Sequence, residues 1–225
     1  MTLFGDQPAA FLAPTPVIDF EHPAVQAFVH THDEPAADTR TRAVRLYYAV
    51  RDLIRYDPYD IVLSAEGLSA SRCVGTGRGW CVSKAVLLAA CCRAIGIPAR
   101  PGYADVRNHL STARMRALMR TDEFRWHGYT AILLERRWVK ATPAFNVELC
   151  EKFRLRPLEF DGREDSIYHP FDLEGRQHME YLRYRGEFAD LPLTEMVDDF
   201  SRFYAHMMTQ LQGGDFDAEV QRETA

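Results

Sequence analysis

The sequence predicts one domain that mixes helices with a short run of neighbouring strands, and three observations carry that prediction. The stretch CVSKAVLLAACCRAIGI from Cys81 is strongly apolar and reads as a buried helix that stops at Gly96, with Pro98 just past its end. His127–Leu134 and Arg137–Ala141 are apolar and aromatic segments joined by a tight ERR turn, the pattern of two paired strands. The chain has 225 residues, 47% of them hydrophobic and 26% charged, so it can bury most of its apolar surface without a disulfide or a metal. No repeat and no low-complexity linker divides it.

Taken in order, residues 1–37 form an arm on the domain. Pro8, Pro14, Pro16 and Pro23 predict extended chain there, with room for one strand. From Asp38 the sequence TRTRAVRLYYAVRDLIRYD has helical spacing at Val44, Tyr47, Tyr48 and Ile54, with Asp38 or Thr39 as N-cap. Residues 57–80 are turn-rich and end in GTGRGW, leading into the Cys81 helix. Pro98–Tyr103 reads as a short strand, STARMRALMR as a helix within the polar residues 104–125, and Asn146–Phe153 as a short helix. The expected core is therefore residues 38–153, followed by a C-terminal extension over 154–225. In that extension residues 157–190 are mixed and aromatic. Pro192–Leu211 has helical spacing at Leu193, Met196, Val197, Phe200, Phe203, Tyr204 and Met207, and GGDFDAEVQRETA is expected to be a frayed tail.

The formal charge of -5 argues against a nucleic-acid partner, which would call for a basic face. No stretch approaches the roughly 18 apolar residues that cross a membrane. The N-terminus lacks the basic and apolar regions of a signal peptide, so a cytoplasmic protein without a membrane partner is expected. Cys73, Cys81, Cys91, Cys92 and Cys150 are odd in number and lack zinc spacing, and the adjacent Cys91 and Cys92 read as core residues.

Cys81 is placed differently, where a glycine-rich loop becomes a helix. Free N–H groups and the positive end of the helix dipole favour a thiolate there, which lowers a cysteine pKa below about 8.5. The same N–H groups can hold an oxyanion once sulfur attacks a carbonyl. Gly79 leaves the backbone open to a substrate, and Trp80 either shapes the oxyanion side of the site or packs beneath the loop.

The segment GWCVSKAVLLAACCRAIGIPARPGY resembles the transglutaminase-like pattern of G-x-C, an apolar helix, then R-x-x-G-I-P-A-R and a strand. In that family a histidine opens a later strand as H-x-[WY], which His127-Gly128-Tyr129 matches. The third block, W-V-x-x-D-P-x-x-N, runs here from Trp138 to Asn146, with Thr142 at the aspartate position. The resemblance covers about residues 70–146. It implies an α+β, papain-like fold in which the Cys81 helix packs on an antiparallel sheet. It also implies Cys81 as nucleophile, His127 as base, Thr142 as third residue, and Gly79, Trp80 and Tyr129 lining the cleft. Threonine can accept a hydrogen bond from the imidazole but brings no charge. Glu148, Asp161 and Asp165 are the carboxylates considered as substitutes.

The implied chemistry is thiol-dependent acyl transfer on a peptide, protein or small amide, leaning to hydrolysis, with no metal or organic cofactor. The alternative is a binding or scaffold module that has lost full catalysis, for which Thr142 speaks. Weaker features have plainer readings. GTGRG lacks the G-K-[ST] ending of a phosphate loop. Arg78 reads as a solvated side chain before a carboxylate binder, and His109 as a turn residue before a cleft residue. His30 and His32 would share a face on a strand and could hold a metal there, but they read as surface loop. The segment PLEFDGREDSIYHPFD either covers one side of the cleft or packs through Phe160, Tyr168 and Phe171. The sequence assigns no oligomeric state.

Overall fold

The structure, a computed structural model, describes residues 8–109, 111–167, 173–175, 178–208 and 214–224. Its axis is helix α4 (Cys81–Ala94), in which every residue from Cys81 to Arg93 is buried. A helix that is apolar all round needs neighbours on every side. These come from helices α1 (Pro23–His32), α2 (Thr39–Leu53) and α3 (Ala70–Thr76) and from strands β3 (Ala99–Asn108) and β4 (Glu123–Leu134). The two charged residues of α4 are buried against backbone carbonyls. Lys84 Nζ donates to the Arg51 and Ile54 carbonyls at the end of α2. The Arg93 guanidinium donates to the carbonyls of Ala13, Ala99 and Ala189 at 2.6–2.8 Å. Each thereby satisfies the rule that a buried charge must be hydrogen-bonded.

Beside α4 lies a four-stranded sheet in the order β5-β4-β3-β6, all neighbours antiparallel, with β5 at Arg137–Ala141 and β6 at Met179–Glu187. The β4–β5 turn places Glu135 and Arg136 at φ 48 and 68, the left-handed pair that suits the twist of a two-residue hairpin. A small parallel pair, β1 (Arg55–Tyr56) with β2 (Arg78–Gly79), holds the loop leading into α4. The remaining helices are α5 (Ala113–Met119), α6 (Val147–Lys152), α7 (Leu193–Phe203), α8 (Ala205–Met208) and α9 (Phe216–Thr224). The α+β arrangement and its antiparallel sheet agree with the sequence reading.

Several local expectations are corrected. The N-terminal arm is not simply extended: it holds a 3₁₀ turn at Pro8–Phe11 and the whole of α1. Pro23, read with Pro8, Pro14 and Pro16 as a sign of extended chain, occupies the first turn of α1, where its missing N–H costs nothing. His30 and His32 therefore lie on a helix, two positions apart, and do not share a face. The turn-rich 57–80 segment contains α3, capped by Ser69 at its start and by Gly77 at φ 65 at its end. Residues 157–190 contain β6, whose half-exposed edge position leaves no clean alternation to read. The Pro192–Leu211 helix breaks at Tyr204, and its residues 209–211 lie outside the described residues. The supposed frayed tail is α9, with Phe216, Glu219 and Val220 buried. The Phe216 ring packs against Tyr56, Tyr59 and Phe153, and Tyr59 donates its hydroxyl proton to Glu219.

Candidate active site

Cys81 is the first residue of α4, and the backbone before it is extended at Trp80. The approach is fixed by pairing of Arg55 with Arg78 and of Tyr56 with Gly79, and by the Asn146 side chain, which accepts the Tyr56 N–H at 3.2 Å. A Cβ on Gly79 would stand 2.9 Å from Cys73 Sγ and 3.1 Å from Ser83 Cβ. The space over Gly79 is thus filled by the protein's own side chains.

His127 lies on β4 beside Gly128, whose missing side chain has an evident cause. A Cβ there would stand 2.9 Å from the Cys81 carbonyl oxygen and 3.0 Å from Val82 Cα, both backbone atoms that cannot move aside. Glycine lets the start of α4 rest directly on the strand. Thr130, two residues on, donates to the Ala85 carbonyl at 2.8 Å and fixes the helix along the same strand.

Immediately before His127 the strand bulges. Ala104 faces His127 and Val106 faces Phe124, so Asp105 alone stands opposite Arg125 and Trp126. Trp126 has φ 63, a strained conformation for a bulky residue that costs about 1–3 kcal/mol. A part-buried ionic cluster holds it. The Trp126 backbone N–H donates to Asp105 Oδ1 at 3.2 Å and its indole N–H to Asp199 Oδ2 at 2.9 Å. Arg185 joins Asp105 to Asp199 and lies 4.4 Å over the Trp126 ring, while Arg125 reaches Asp199 Oδ1 at 2.9 Å. Burial works against the Asp199 charge, yet the Trp126 N–H, Arg185 and Arg125 hold its carboxyl below the usual range. No motif signals this cluster, because its members come from β3, β4, β6 and α7.

Cys81 and His127 open onto one partly enclosed cavity of about 50 Å³, with Trp80, Tyr56, Met115 and Phe200 among its walls. Burial pushes the Cys81 thiol up to about 11, although the N–H groups of Gly128, Val82 and Cys81 itself pull the other way. Burial pushes His127 down to about 4. The lowered thiol pKa expected from the helix terminus is thus outweighed by desolvation, and the resting pair is a neutral thiol and a neutral imidazole. No hydrogen bond joins the two, and His127 Nε2 is buried without a partner. The indole N–H of Trp80 is likewise buried and unpartnered beside Cys81.

Thr142 and His127 meet at a second, smaller cavity with Leu158, Ile167 and Met179. The Thr142 hydroxyl donates to the Ile167 carbonyl at 3.0 Å, leaving its oxygen lone pair for an acceptor role. None of the three candidate carboxylates bonds to His127. Asp165 accepts the Lys140 N–H, Asp161 caps Arg163 and Glu164, and Glu148 is exposed. Tyr129 lies outside both cavities: its ring covers Gly102 and its hydroxyl donates to Glu187 at 3.2 Å. Arg78 pairs with Asp57 at 3.2 Å on the surface. His109 directly follows β3, its backbone N–H donating to the His178 carbonyl. Leu158 and Ile167 bring residues 157–167 to the site and Phe160 is buried, while Tyr168 and Phe171 lie outside the described residues.

A buried cysteine opening a central helix, with a histidine on the adjoining antiparallel strand, defines the class of Cys–His α+β folds. The Transglutaminase-like superfamily model matches residues 26–143, just over half the chain, and the protein belongs to that superfamily. No curated protein matches it. The fold is similar to the crystal structure of a candidate cysteine protease from Cytophaga hutchinsonii, with a TM-score of 0.50 and 17% identity. That similarity covers 84% of this chain and 49% of the other, so the chain spans about half the length of that protein. Among the described residues, no helix is long and apolar enough to cross a membrane.

Proposed function

We propose that the protein carries out thiol-dependent acyl transfer on an amide or peptide carbonyl, with water as the usual final acceptor. The observation that carries this is the shared cavity of Cys81 and His127, with backbone N–H groups gathered at the sulfur. The neutral resting pair favours general-base catalysis over a preformed ion pair. His127 takes the Cys81 proton as sulfur bonds to the carbonyl carbon. The oxyanion is held by N–H groups at the start of α4 and by the unpartnered Trp80 indole N–H. His127 returns the proton to the leaving amine as the C–N bond breaks. Water then attacks the thioester, gives its proton to His127, and the Cys81 thiol is restored. Thr142 orients the imidazole through its hydroxyl oxygen.

Acylation of Cys81 by p-nitrophenyl acetate, mapped by mass spectrometry from pH 5 to 10, tests this. With an imidazole titrating near 4 and a thiol near 11, the rate is flat from about pH 5 to 9 and climbs as thiolate forms. His127→Ala abolishes the flat region, lowering the rate at pH 7 by about 10²–10⁴ while sparing the alkaline rise. An unchanged profile in His127→Ala would remove the base from the mechanism. The reading as a weakened binding module draws on one observation: the third residue is neutral and its proton is already given to Ile167.

A further inference from the structure

The walls of the Cys81 cavity select the chemistry of what can enter it. Met115 and Met119 come from α5, Met179 from β6, and Phe200, Tyr204 and Met207 from α7, α8 and the break between them. No acidic side chain lines the cavity among the described residues. Its one cation, Arg125, is committed to Glu123 at 3.0 Å and Asp199 at 2.9 Å and lies 3.4 Å over the Phe203 ring. A charged group entering here would lose its hydration and find no counter-ion, a strongly unfavourable exchange. An aliphatic group gains about fourfold in affinity for each methylene buried. Methionine walls adapt their shape to such a guest without losing contact.

We infer that the acyl group presented to Cys81 enters this cavity with an uncharged aliphatic group, selected by the methionine walls from α5, β6 and α8. This rests on the reading of Cys81 as nucleophile, and it can be tested without that chemistry. The full chain carrying Cys81→Ala, with ¹³C-methyl methionine, is titrated and the methionine methyl signals followed. Isovaleramide represents a free acyl source and N-acetyl-leucinamide a peptide source; succinamate and 4-aminobutanamide are the charged counterparts.

The expected result is that one or both neutral amides shift the Met115, Met119 and Met207 methyls, binding at least tenfold tighter than either charged amide. Whichever neutral ligand binds identifies the source. Met207→Ala then moves the preference toward hexanamide, by about fourfold per added methylene. A preference below tenfold overturns the inference, as does a failure of every neutral amide to shift those methyls. Neither result touches the acylation of Cys81, which stands or falls on its own pH profile.

Discussion

At the scale of single residues, the site depends as much on what is missing as on what is present. Gly128 has no side chain because α4 begins where one would be. In Gly128→Ala the new methyl meets backbone, so helix and strand must part. We expect a loss of about 1–3 kcal/mol in urea unfolding together with slower acylation of Cys81. Gly75→Ala is the matched control, since nothing lies within 4 Å of a Cβ on that α3 residue and its φ is not positive. It should gain about 0.4–1 kcal/mol by restricting the unfolded chain. Equal effects from the two changes would show that the close approach at Gly128 is not what the strand requires. Cys81 and His127 were legible because each sits in a local run of residues with its own pattern. The work of Gly128 was not, although it stands inside the same His-Gly-Tyr run, because it depends on a helix more than thirty residues away.

At the scale of elements, α2, α4, α7 and the β4–β5 hairpin were readable, as were the short α5 and α6, whereas α1, α3, α9 and β6 were not. Helices α1, α3 and α9 have at most ten residues each, and their stability comes from packing more than from propensity. Strand β6 is an edge whose pairing with β3 is long-range. The unread β6 and the well-read α7 together finish the site, supplying Arg185 and Asp199 to the bulge before His127. Tyr204 adds to the same attachment, donating to the Glu123 carbonyl and accepting the Arg125 N–H. Asp199→Asn leaves two arginines short of a carboxylate, and we expect a cost of about 2 kcal/mol, seen as a lower Tm. Loosening α7 should also expose Cys81, raising its iodoacetamide labelling rate severalfold in native buffer. If Tm falls while labelling does not change, α7 does not limit access to the cavity.

At the scale of the whole molecule, α4 joins distant parts of the chain, and its two buried cations mark where. Lys84 caps the end of α2 near Cys81, and burial pushes its amine down to about 7. Arg93, about two and a half turns further on, binds carbonyls at residues 13, 99 and 189, the N-terminal arm, the start of β3 and the lead-in to α7. Burial lowers the Arg93 pKa to about 10, which leaves it protonated at neutral pH. Its planar fork serves three acceptors at once, whereas an ammonium on a flexible stem is a point charge. Arg93→Lys keeps the charge but cannot reach all three carbonyls. With net contributions of about 1.5–3 kcal/mol for each hydrogen bond to a charged group, losing one or two should cost about 3 kcal/mol. The loss should be distributed unevenly. Hydrogen exchange should quicken around residues 13–18 and 188–193, far apart in sequence but joined by this one side chain, while the β4–β5 hairpin keeps its protection. Uniform acceleration across the chain would instead mean that α4 stabilises the fold as a single cooperative core, with Arg93 no more than one contact among many.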